Sequence, residues 1–85
     1  MDINKKLKQI AKNLKLKKFN DAILECRKLI KKNPNNFILH QICGLAYFSI
    51  KNINLSIKYL KKASEINPSD MVCKNNLANS YKSSG

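Results

Sequence analysis

Apolar residues return every third or fourth position along most of this chain. Ile3, Leu7, Ile10, Ala11 and Leu14 form one such series. Phe19, Ala22, Ile23, Cys26, Leu29 and Ile30 form a second, and Ile53, Ile57, Leu60, Ala63 and Ile66 a third. That rhythm is helical. It predicts five helices: α1 over 3–17, α2 over 20–32, α3 over 36–50, α4 over 54–66 and α5 over 70–82. Helix α2 stops before Asn33-Pro34, because a residue preceding proline is pushed out of the α region. Asn36 and Asp70 each stand two residues past a proline, where a short polar side chain can cap the helix that follows. Two glycines and two prolines leave little punctuation for a many-turned β protein. The fold class read from the pattern is all-α, and the short connections make consecutive helices antiparallel.

The chain also repeats itself. Asn33-Pro34 recurs as Asn67-Pro68, a spacing of 34 residues, and the same shift lays Phe19 on Ile53, Ala22 on Ser56, Ile23 on Ile57 and Asn36 on Asp70. One domain over 1–85 then holds a first unit at about 3–36, a second at 37–70 and a partial third at 71–85. Such a unit cannot bury its apolar face alone and must stack on a neighbour.

A 34-residue period with two helices per unit resembles the tetratricopeptide repeat family. With Phe37 as the first residue of the second unit, His40 stands where the family often has tryptophan, and Cys43-Gly44 stands for its Leu-Gly pair. Tyr47 matches the family tyrosine, Ser56 replaces a small alanine, Leu60 fills the bulky position, and Ala63 and Pro68 match the second alanine and the terminal proline. From Met71 the third unit matches at Leu77-Ala78 and Tyr81, and Gly85 falls on the turn glycine. The first unit matches in its second helix, at Ala22 and Pro34. Leu7, Ile10, Ala11 and Leu14 match the first-helix core if the α1–α2 turn is one residue short. The resemblance implies a short right-handed α-solenoid, two full units plus the first helix of a third. It places Gly44 and Ser56 where α3 and α4 cross, and turns Leu77, Ala78 and Tyr81 inward onto α4.

Composition narrows the function. The 85 residues are 44% hydrophobic and 26% charged, as in an ordinary globular chain. Cys26, Cys43 and Cys73 contain no C-x-x-C and sit in apolar patterns, so they read as reduced core thiols. His40 is the single histidine and reads as a satisfied core residue; no metal site and no cofactor are expected. No nucleophile stands at a helpful spacing from a base, the five acids are scattered, and no Gly-rich phosphate loop occurs, so no catalytic residue is assigned. The start of the chain lacks the apolar core of a secretory signal. The most apolar run, 38–50, is too short and too polar to span a bilayer. A cytoplasmic location is expected.

Seventeen basic against five acidic residues give a net charge of +12, which suits acidic partners. Lys5, Lys8, Lys12 and Lys15, spaced 3, 4 and 3, share one stripe opposite the apolar residues of α1. The family resemblance implies a concave groove lined by the first helix of each unit. It would carry those four lysines at one end, Ile38, Gln41, Leu45 and Phe48 in the middle, and Val72, Asn75, Asn76 and Asn79 at the other end. A subclass of the family grips acidic chaperone tails through a Lys/Asn clamp. Only Lys8 matches it here; Lys12, Ile42, Val72 and Asn76 depart, so that clamp is not expected. The leading expectation is a non-catalytic scaffold that binds a protein or peptide, acidic by preference, in this groove. Two alternatives rank below it: non-specific nucleic-acid binding through the basic face, and an amino-terminal segment of a larger enzyme. Self-association through α5, whose apolar face lacks a following helix, is also expected.

Overall fold

The computed structural model describes residues 3–84, and these form five helices with no strand among them. Their bounds are α1 Ile3–Lys15, α2 Phe19–Lys32, α3 Phe37–Ser49, α4 Ile53–Ile66 and α5 Met71–Ser83. The expected ends shift by one or two residues, and the caps explain why. Asn36 and Asp70 stand just outside their helices, where their side chains accept from the backbone N–H of Leu39 at 3.1 Å and of Cys73 at 2.8 Å. Asn52 does the same for α4, accepting from Leu55. Gly85 lies outside the described residues.

Helices α1, α3 and α5 begin and end in register, each 34 residues after the last, and so do α2 and α4. The turn between α1 and α2 is therefore not one residue short. Residues 16–18 and 50–52 are equal in length and close in the same way. Lys18 N–H donates to Asn13 O and Lys17 N–H to Leu14 O; Asn52 N–H donates to Tyr47 O and Lys51 N–H to Phe48 O. This is the paired-carbonyl helix ending whose pivotal residue is left-handed, usually glycine. Here lysine fills it twice, with φ 59° at Lys17 and 64° at Lys51. Each costs about 1 kcal/mol relative to glycine.

Every helix packs on the next in sequence, and α3 also touches α5. The larger core joins Ile10 of α1, Ala22, Ile23, Cys26 and Leu29 of α2, and Leu39, Cys43, Ala46 and Tyr47 of α3. A smaller one joins Leu60 and Ala63 of α4 to Cys73 of α5, with Phe37 and Leu77 against it. Between α3 and α4 the close approach depends on Gly44. A Cβ there would stand 2.6 Å from Leu60 Cγ, inside any real contact. One unit earlier the same two positions hold Ile10 and Cys26, both buried. The bulk has moved from the second helix to the first. With that exchange made, α1 presents Ile3, Leu7, Ile10 and Leu14 to the core. The positions equivalent to His40, Cys43 and Tyr47 are then Lys6, Gln9 and Asn13, which line a cleft of about 350 Å³ against α2.

The inward packing expected of Leu77, Ala78 and Tyr81 needs correction. Leu77 packs on α4, but Ala78 is exposed and Tyr81 is 48% exposed. Cys73 and Ser80 are the fully buried residues of α5. Ala78 and Tyr81 are the equivalents of Gly44 and Tyr47, which α4 covers, and among the described residues no helix follows α5 to cover them. The three cysteines are free, buried thiols, as expected. Burial pushes Cys26 and Cys43 up to about 12, so both stay protonated and unreactive at neutral pH.

Candidate peptide-binding groove

The groove positions of α3 recur at intervals of three and four, so Ile38, Gln41, Leu45 and Phe48 share one side of the helix. That side is left uncovered in part. Ile38 is 47% exposed, and Gln41, Leu45 and Phe48 are half-buried. Its equivalent on α5 carries Val72, Asn75 and Asn79, all exposed, with Asn76 half-buried beside them. An apolar strip in the middle thus runs into an amide-bearing strip at the end of the chain. Amides both donate and accept, so this face can pair with peptide backbone without a charge of its own.

Lys5, Lys8, Lys12 and Lys15 are all exposed on α1, turned away from its apolar stripe. In the common 34-residue register they correspond to Leu39, Ile42, Ala46 and Ser49, the flank of α3 whose Leu39 and Ala46 join α2 in the larger core. Leu7, Ala11 and Leu14 are the α1 equivalents of Gln41, Leu45 and Phe48. In that register the four lysines stand one position on from the groove positions of α3. Of the charges on the described residues, only Glu25 and Lys28 approach as an ion pair, at 3.9 Å and exposed, a contact worth little.

His40 is buried, and only one of its nitrogens is satisfied. Nε2 lies 2.7 Å from the Pro34 carbonyl, which can only accept, so the proton sits on Nε2. Nδ1 is buried with no partner. The ring anchors the α2–α3 connection to α3 and stands 6.1 Å from the Tyr59 ring, itself stacked on Tyr47 at 5.5 Å. Ala22, Ser56 and Ala63 are buried at the helix crossings, while Pro34 and Pro68 are exposed in the connections. Among the described residues no cluster of three metal-ligating side chains occurs, and no helix is long and apolar enough to cross a membrane.

A second concavity goes unannounced by the hydrophobic pattern. It opens at the turn edge of the stack, about 760 Å³ in volume, between Phe19 and Ile53 at the starts of α2 and α4 and Phe48 near the end of α3. Lys17 and Lys51 stand on its rim. The only sequence sign of it is the 34-residue recurrence of Leu16-Lys17 as Ile50-Lys51.

Residues 40–70 match the family model described as Tetratricopeptide repeat. A search of the curated proteins finds no match.

Proposed function

We propose a non-catalytic scaffold that binds an extended peptide along its concave face, a reading supported by the match of residues 40–70 to the tetratricopeptide repeat, a family of protein-interaction modules. Gln41, Leu45 and Phe48 of α3 and Asn75 and Asn79 of α5 would line the site. The observation that carries this reading is the uncovered strip of α3, where large apolar residues remain half-exposed on a helix packed on its other sides. Lys5, Lys8, Lys12 and Lys15 would flank that strip and draw an acidic partner toward it. A reducing, cytoplasmic setting suits three unpaired thiols.

The test is to replace the four lysines together with glutamine and titrate an acidic peptide at several salt concentrations. Affinity should fall several-fold at low salt and its salt dependence should flatten, with the circular dichroism unchanged. Unchanged affinity and an unchanged salt slope would leave the stripe as a solvated helix face and nothing more. Duplex DNA in a parallel titration separates the alternative: a uniform loss across DNA sequences, with no effect on the peptide, would favour phosphate attraction.

A second interaction is favoured by α5. Its Met71 is 64% exposed, and Ala78 and Tyr81 lie open where α3 is covered at the same positions. We propose that this face pairs with its equivalent in a second copy. The net charge of +12 on each chain opposes pairing until salt screens it, so association should strengthen from 50 mM to 500 mM salt. Sedimentation that shows a strict monomer at both salt concentrations and high protein concentration would remove the proposal.

A further inference from the structure

The turn edge of the stack carries a feature that a helix ending does not need. Glycine would relieve the left-handed backbone at both turns, yet Lys17 and Lys51 occupy it, at φ 59° and 64°. A non-glycine residue kept twice at an unfavourable φ points to a use for its side chain. Each lysine also follows an apolar residue left in solvent: Leu16 is 55% exposed and Ile50 is 39% exposed. Between the two turns lies the cleft of about 760 Å³, walled by Phe19, Phe48 and Ile53. No acidic residue lines it, and neither lysine forms an ion pair among the described residues.

We propose that this cleft is a second binding site, sharing only Phe48 with the concave face, for an acidic peptide segment carrying a bulky apolar side chain. The apolar side chain enters between Phe19, Phe48 and Ile53, and flanking carboxylates meet the Lys17 and Lys51 ammonium groups at the rim. Charge complementarity selects the sign of the occupant, since the rim is cationic and nothing in the cleft offsets it. The recess selects its form. An anionic membrane surface would meet Leu16 and Ile50 at the turn tips, but it could not reach the recessed wall that Phe19, Phe48 and Ile53 provide. A single inserted side chain can.

The probe is a capped pentapeptide of sequence Glu-Glu-Leu-Phe-Glu, titrated against the isotope-labelled full chain while its backbone amide resonances are followed. The amides of Lys17, Phe19, Lys51 and Ile53 should move together. Replacing the three glutamates with glutamine, or Leu-Phe with Ala-Ala, should weaken binding at least tenfold. Lys17→Gln with Lys51→Gln removes the charge and keeps the backbone cost; Lys17→Gly with Lys51→Gly removes both. Both double variants should lose at least tenfold in affinity, while the glycine variant melts at a higher temperature than the parent. Wild-type affinity in either variant would overturn the proposal. So would shifts confined to Gln41, Leu45, Asn75 and Asn79, a result that would support the concave groove in its place. Perturbation of the turn amides by phosphatidylserine vesicles and not by the peptide would make the edge a membrane contact and end the peptide reading.

Discussion

Gly44→Ile should cost about 3 kcal/mol of folding stability, and adding Leu60→Cys to it should restore most of that loss. The single substitution drives a branched side chain into space where even a Cβ meets Leu60 Cγ at 2.6 Å and the Leu60 backbone nitrogen at 3.2 Å. The severe clashes are with the fully buried Leu60 side chain, Cγ at 2.6 Å and Cδ2 at 2.8 Å, which cysteine removes, while the nitrogen needs to give only slightly. Leu60→Cys alone should cost about 2–4 kcal/mol, because it empties a fully buried position. Together the two changes reproduce the pair that the first unit already uses, Ile10 facing the position of Cys26. Urea unfolding of the four proteins closes the cycle. Penalties that simply add would mean that the α1–α2 and α3–α4 crossings are not the same joint, and the register proposed for the first unit would fail.

A matching exchange governs the joint between units. Ser56 of α4 and Ser80 of α5 are fully buried, and their hydroxyls hydrogen-bond to each other at 3.0 Å. Thirty-four residues earlier the equivalent positions are Ala22 and Ala46, also fully buried. Removing one hydroxyl strands the other away from water, so Ser56→Ala or Ser80→Ala should each cost about 1–2 kcal/mol. Removing both should come close to neutral, since the alanine pair is already accommodated elsewhere in the chain. The same unfolding experiment measures it. A double variant as unstable as the sum of the singles would show that each serine acts through some other contact.

These paired exchanges also explain what could and could not be read from the sequence. The 34-residue period was legible as recurrence along the chain, and the five helices and the caps at Asn36 and Asp70 because each depends on residues local to one helix. The orientation of α1 was not. Its apolar residues match the family pattern best with a shortened turn, yet the turn keeps its length, and Ile10 takes the crossing position while Cys26 makes room. That trade involves two helices at once and leaves no mark on the periodicity of either. Ala78 and Tyr81 fit the pattern as core residues but are exposed, because pattern records what a position suits and not whether a neighbour is there to cover it. Spacing placed Gln41, Leu45 and Phe48 on one side of α3, and they are half-buried there, while Asn75 and Asn79 are exposed on α5. The turn cleft was not legible, since lysine in a left-handed conformation looks like any other lysine in a basic chain.

The order in which the helices meet bears on how the chain reaches its fold. Strong packing joins only helices adjacent in sequence, with α3 and α5 the one further pair in appreciable contact. The connections are three or four residues long, so almost no contact waits on the closure of a long loop. Chains built this way fold on the microsecond to millisecond scale, and any joint can serve as the nucleus. The joints are unequal, however. Helix α1 rests mainly on α2 through Ile10 and its apolar neighbours, and beside that contact Lys6, Gln9 and Asn13 leave a polar cleft of about 350 Å³. Transient opening should therefore begin by peeling α1 away, carrying the whole lysine stripe with it, while α3 and α4 stay closed around Gly44.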